Sequence, residues 1–169
     1  MTEAASNKVD QRAAPVSAGM RTAVVVRRII AATADELFDA WLDPDSLAQW
    51  MHPGLITPST ASVDARIGGA FEVVMQHHDG LLRHYGVYRD IKRNQKLVFT
   101  WHSDATHHIE TLVTVTLHVV TAGTEIVVMH ERIPDDGTSS HIQGWTQALA
   151  LLEGLFPQKA SQTISKENT

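Results

Sequence analysis

The sequence contains no cysteine. Disulfides, thiolate catalysis and cysteine-ligated zinc are therefore excluded. No apolar run approaches the roughly 18 residues that a membrane-crossing helix needs, so no span is expected. Basic residues are the minority: 14 Lys and Arg against 19 Asp and Glu leave a net charge of −5. Phosphate binding needs a basic face, and no basic run supplies one, so no nucleic-acid partner is expected. Residues 1–20 hold no apolar segment of the secretory kind. The expectation is a cytoplasmic protein that acts on neither membrane nor nucleic acid. Several motifs are also missing. There is no Gly-x-Gly-x-x-Gly and no phosphate loop, no Gly-x-Ser-x-Gly and no His-Glu-x-x-His. No cofactor is expected on these grounds.

What the chain does have suits one globular domain. Its 169 residues are 43% hydrophobic and 20% charged, ordinary values for a single core. Ala, Ser, Asn and Gln dominate residues 1–20, which read as a mobile leader. Thr22 to Ile30 is dense in β-branched residues and reads as a strand. A helix is expected over Ala34 to Leu42, because Thr33 and Glu36 form a capping-box pattern. Asp43-Pro44 stops it, and Pro44 starts a second short helix to Trp50. A weak strand at Ala61–Asp64 follows. Stronger strands run over Phe71–His77, Leu81–Lys92, Lys96–His102, Glu110–Val120 and Thr124–Glu131, with Asp79-Gly80 and Ala122-Gly123 as turns. In these strands Phe71, Val73 and Met75 share a face, as do Leu97, Phe99 and Trp101, then Val113, Val115, Leu117 and Val119. Short turns predict antiparallel pairing, and period-two patterning predicts one dry face. A polar tail begins at Gln158.

The last element is a helix from about Thr138 to Phe156. Ile142, Trp145, Leu149, Leu152 and Phe156 recur at steps of three and four, giving one apolar stripe. Such a face must lie on something, and the strands before it are the natural partner. The expected class is α+β. Patterning alone leaves two outcomes open: the helix closes a filled core, or it roofs a cavity.

The run Ala40-Trp41-Leu42-Asp43-Pro44-Asp45-Ser46-Leu47-Ala48-Gln49-Trp50 is one of several ordered pieces. Gly68-Gly69, Gly86-Val87-Tyr88, Lys96-Leu97-Val98-Phe99-Thr100-Trp101, Gly123-Thr124-Glu125-Ile126 with His130, and Gly144-Trp145 follow it. Together they resemble the bacterial proteins similar to the C-terminal domain of the heat-shock-protein-90 ATPase activator, within the START-like (SRPBCC, Bet v-like) superfamily. The resemblance spans about Ala23 to Phe156. Trp50-Met51 stands where many members carry two adjacent tryptophans. The resemblance implies a helix-grip fold over 21–157, with a curved antiparallel sheet around a long C-terminal helix and a pocket between them. It also implies three possible roles: a carrier of a hydrophobic small molecule, a cyclase- or hydratase-like enzyme, or a chaperone-associated module. A homodimer through a sheet edge or the wet face is compatible with each.

Such a pocket would be lined by Phe71, Val73, Met75, Tyr88, Phe99, Trp101, Val113, Val115, His130, Trp145 and Leu149. The wall is apolar and aromatic, and a hydrophobic small molecule is the expected partner. Tyr88 and His130 are its polar members. His130 shares parity with Ile126 and Val128 and should point inward. It would serve either as a structural histidine or as a ligand contact and proton carrier. No metal site is expected, because the adjacent pairs His77-His78 and His107-His108 should point to opposite faces of a strand.

Overall fold

The computed structural model describes residues 21–55 and 57–157; the leader expected at 1–20 and the tail expected at 158–169 lie outside the described residues. The elements are β1 (Arg21–Ile30), α1 (Ala34–Leu42), α2 (Pro44–Trp50), β2 (Thr60–Val63), β3 (Ala70–His77), β4 (Gly80–Lys92), β5 (Lys96–Trp101), β6 (Thr111–Val120), β7 (Gly123–Pro134) and α3 (Thr138–Gly154). Local chemistry sets the short helices. The Glu36 backbone N–H donates to Thr33 Oγ1 at 3.2 Å, and the Thr33 N–H donates to Glu36 Oε2 at 2.9 Å. Asp43 accepts from the Ser46 N–H at 2.7 Å and caps α2. Each cap is worth about 1 kcal/mol.

The strands form a single seven-stranded sheet in the order β1-β7-β6-β5-β4-β3-β2. Every neighbouring pair is antiparallel. The long strand β4 belongs to both halves: residues before Tyr88 pair with β3, and those from Tyr88 onward pair with β5. Gly86 permits the bend between them, since a Cβ there would lie 1.8 Å from the Thr100 carbonyl oxygen. The Thr100 hydroxyl then accepts from the Val87 N–H at 2.9 Å and repairs the ladder at the break. The sheet curls around α3, which is the helix-grip arrangement.

The concave face is dry as alternation predicts. Phe71, Val73, Met75, Leu97, Phe99, Trp101, Val113 and Val115 are all buried. Trp41 of α1 ties the layers together, with its ring 4.7 Å from Trp50 and 6.0 Å from both Phe99 and Trp145. Val119 departs from the expectation. It has the inward parity but is 80% exposed, one residue before the end of β6.

The phase of α3 also differs. The buried face is His141, Trp145, Ala148, Leu149 and Leu152. Ile142 is 46% exposed, and Phe156 lies beyond the helix end at Gly154. Trp145, Leu149 and Leu152 belong to both sets, and the centre of the face is turned by about 40° at 100° per residue. Two residues that hydropathy misjudges account for the turn: a histidine that is hydrogen-bonded and so can be buried, and an alanine small enough to let the helix approach the sheet.

Candidate functional site

α3 packs chiefly along β1 at one end of the sheet order. Arg28 of β1 anchors it, donating from Nε to Glu153 at 2.7 Å. The β3–β4 hairpin lies at the other end and curls away. Between that hairpin and α3 opens a cavity of about 520 Å³, within the range of small-molecule sites. Met75 and His77 of β3, Leu82 and His84 of β4, and Trp101, Ser103 and Ala105 at the end of β5 form one wall. Ser140, His141, Gln143, Gly144, Trp145, Gln147 and Ala148 of α3 form the other, and Met51, Pro53, Gly54 and Leu55 close the rim.

None of these lining residues is Asp, Glu, Lys or Arg. The polar groups are hydroxyls, amides and imidazoles. Burial, and secondarily the nearby His141, pushes His84 down to about 4. His141 is also lowered, first by burial, against the opposing effect of its bond to Gly137. At neutral pH both of these imidazoles are therefore held in the neutral form. Two of the wall's polar atoms have no hydrogen-bond partner among the described residues: the Ser103 hydroxyl and His84 Nδ1.

The residues expected to line a pocket divide into three groups. Met75, Trp101 and Trp145 line the 520 Å³ cavity. Phe71, Val73, Tyr88, Phe99 and Trp101 surround a second space of only about 10 Å³, which is packed core. Their rings fill it, with Phe71 5.2 Å from Phe99 and 5.5 Å from Tyr88. Val113, Val115, Leu149 and His130 are fully buried and line neither space. Trp101 is the partition, facing both.

His130 points inward and is 0% exposed. The Trp145 indole N–H donates to its Nδ1 at 3.1 Å. Thr111 Oγ1 lies 2.7 Å from Nε2 and 2.6 Å from the Trp101 carbonyl oxygen. A carbonyl can only accept, so the single hydroxyl hydrogen of Thr111 goes there. Thr111 must then accept from Nε2–H. The ring is the neutral Nε2–H tautomer with both nitrogens engaged. Burial first, then His141, pushes it down to about 3. This is the structural role among those open from sequence. Tyr88 is 3% exposed, and burial pushes its phenol well above the ordinary range. Neither residue reaches the cavity with a free polar atom in the way a shared catalytic pair would need.

His84, Ser103 and His141 escaped the sequence reading, and Gly144 entered it only in the Gly144-Trp145 pair, not as a site residue. Parity with Tyr88 two register steps away gives His84 its inward face, and β4 places it opposite Val73. The opposite-face argument made for the His77-His78 pair is corrected. His77, His78 and Asp79 bring three potential ligand atoms within 4.8 Å of one another, because β3 ends at His77 and the chain turns there. The opposite-face rule for strand neighbours no longer applies. His78 Nε2 sits 2.9 Å from Asp79, on an exposed hairpin tip. His107 and His108 also lie in a turn rather than on a strand, both at positive φ, and face Asp136 and Asp104 respectively.

The family described as Activator of Hsp90 ATPase homolog 1-like protein matches residues 31–157. The chain is similar to protein CV1439 from Chromobacterium violaceum, with 25% identity and a TM-score of 0.69 over 79% of this chain and 96% of that one. It is similar to protein NE0264 from Nitrosomonas europaea, with 21% identity and a TM-score of 0.66 over 79% and 92%. It is also similar to CalU16 from Micromonospora echinospora, with 21% identity and a TM-score of 0.61 over 79% and 74%. The last two likenesses concern the fold alone. No curated protein matches the chain.

Proposed function

This chain belongs to the Activator of Hsp90 ATPase homolog 1-like family, and from that premise we propose that it binds a hydrophobic small molecule in the cavity between α3 and the β3–β4 hairpin. Gly144 carries this reading. It lies within α3, lines the cavity, and a Cβ built on it would meet nothing within 4 Å. No neighbour needs the space, so packing does not demand glycine. A helix-interior glycine costs about 0.5–1 kcal/mol relative to alanine. Stability is given up for room on the cavity floor. The walls fit such a guest: Met51, Leu55, Met75, Leu82, Trp101 and Trp145 supply polarizable apolar surface, and no charge penalises it.

The test is native mass spectrometry of the protein purified from its own cells. Adducts of defined mass, released by organic solvent, are expected on a substantial fraction of the protein. Preparations that are always free of adduct, and that also fail to take up aromatic probes, would overturn the proposal. No helix among the described residues is long and apolar enough to cross a membrane.

A further inference from the structure

We propose that His141 sets the specificity of the cavity: it selects neutral ring compounds that donate a hydrogen bond, through a hydroxyl or ring N–H, over analogues that only accept. This rests on the cavity being a ligand site. The geometry that points to it is a tautomer. His141 Nδ1 lies 2.6 Å from the Gly137 carbonyl oxygen. That oxygen only accepts, so Nδ1 carries the hydrogen and Nε2 of the neutral ring is left with a bare lone pair. The turn holds the ring in place. A Cβ on Gly137 would come within 3.2 Å of His141 Nδ1 and 3.0 Å of the Ala105 carbonyl oxygen, so a side chain there would push the ring away.

Among the described residues no hydrogen bond satisfies that lone pair. His130 is the nearest ring, 4.8 Å away and perpendicular, but both its nitrogens are used by Trp145 and Thr111. The residue is 8% exposed and lines the cavity, so the free nitrogen is offered to whatever the cavity holds. A carbonyl, ether or carboxylate oxygen facing Nε2 would meet a lone pair with a lone pair. A hydroxyl or N–H would complete the bond. Ser103 lines the same cavity, but its hydroxyl oxygen is sealed from it, so the His141 nitrogen carries the selection, and the class is a ring compound bearing a hydroxyl or ring N–H rather than a bare hydrocarbon.

The discrimination expected from one buried hydrogen bond is about tenfold or more. It is read by titrating the full chain with β-naphthol, its methyl ether and naphthalene, following tryptophan fluorescence and calorimetry. β-Naphthol should bind the wild type at least about tenfold tighter than the ether. His141→Phe should bind the ether as the wild type does and lose the preference. Equal affinities in the wild type, or a preference that survives in His141→Phe, would overturn the assignment. If none of the three binds the wild type, the ligand-site reading fails, and the His141 assignment with it. A measurement on the wild type avoids any folding defect of the variant: NMR of the imidazole nitrogens should show hydrogen on Nδ1 and none on Nε2. The Nε2 resonance should move with β-naphthol and stay with the ether. A hydrogen on Nε2 would contradict the proposal.

Discussion

The space beneath α3 has two ends, and they use the same residue types to opposite effect. At the closed end Trp41, Phe71 and Phe99 meet ring to ring, and His130, packed on Trp101 and Trp145, has both nitrogens bonded. At the open end His141 and Gly144 leave a lone pair and a missing side chain facing a volume of about 520 Å³. Two buried histidines 4.8 Å apart therefore carry their hydrogens on different nitrogens. What differs is the satisfaction of polar groups, not polarity itself. A satisfied buried network rigidifies, and an incomplete one is destabilising until something completes it.

The sharpest contrast is stability. His130→Ala strands the Trp145 indole N–H and leaves a void, and should cost about 3 kcal/mol in chemical denaturation. His141→Ala gives up one bond to the Gly137 carbonyl and should cost about 1 kcal/mol. Equal losses would erase the distinction between the ends.

Acid should act on both ends. His84, His130 and His141 all have folded values below the ordinary 6.5. The unfolded chain therefore binds protons that the folded chain refuses. Their contribution is complete above about pH 6.5 and is lost as pH falls toward the folded values, about 4 for His84 and about 3 for His130. Each adds a slope of about 1.4 kcal/mol per pH unit within its window. Denaturation at stepped pH should show stability falling below pH 6.5, with a shallower slope in His130→Gln. A flat profile from pH 6.5 to 5 would mean that the rings are not held neutral.

Smaller effects locate the boundary. Gly144→Ala should raise stability by about 0.5–1 kcal/mol in thermal or chemical unfolding, since it adds helix propensity without a clash. Ile142→Ser, one residue from His141 but exposed, should change stability by less than about 0.5 kcal/mol. A loss of several kcal/mol there would restore the helix phase that hydropathy suggests.

Much of the fold was legible because it is local. Thr33 with Glu36, and Asp43 before Pro44, mark helix ends through bonds to their own backbone. Alternation places Phe99 and Val115 on the dry face. The site was less legible, for two reasons. Hydropathy cannot know that His141 will find the Gly137 carbonyl and turn inward, so it put Ile142 in the stripe. Nor can a linear pattern say how far the β3–β4 hairpin stands from α3. That separation decides that Phe71 and Tyr88 are core while Met75 and Leu82, on the same two strands, line a cavity. Gly144 was the one local sign available, a glycine amid helix formers beside Trp145.

The most direct measurement is a titration of Gly144→Leu with β-naphthol, alongside the wild type and Gly144→Ala. A Cβ at this position meets nothing within 4 Å, and a leucine side chain is expected to extend into the cavity. Saturable binding should persist in the alanine variant and vanish in the leucine variant, while unfolding shows the leucine variant to be at least as stable as the wild type. Unchanged affinity in the leucine variant would show that the guest, if any, sits elsewhere.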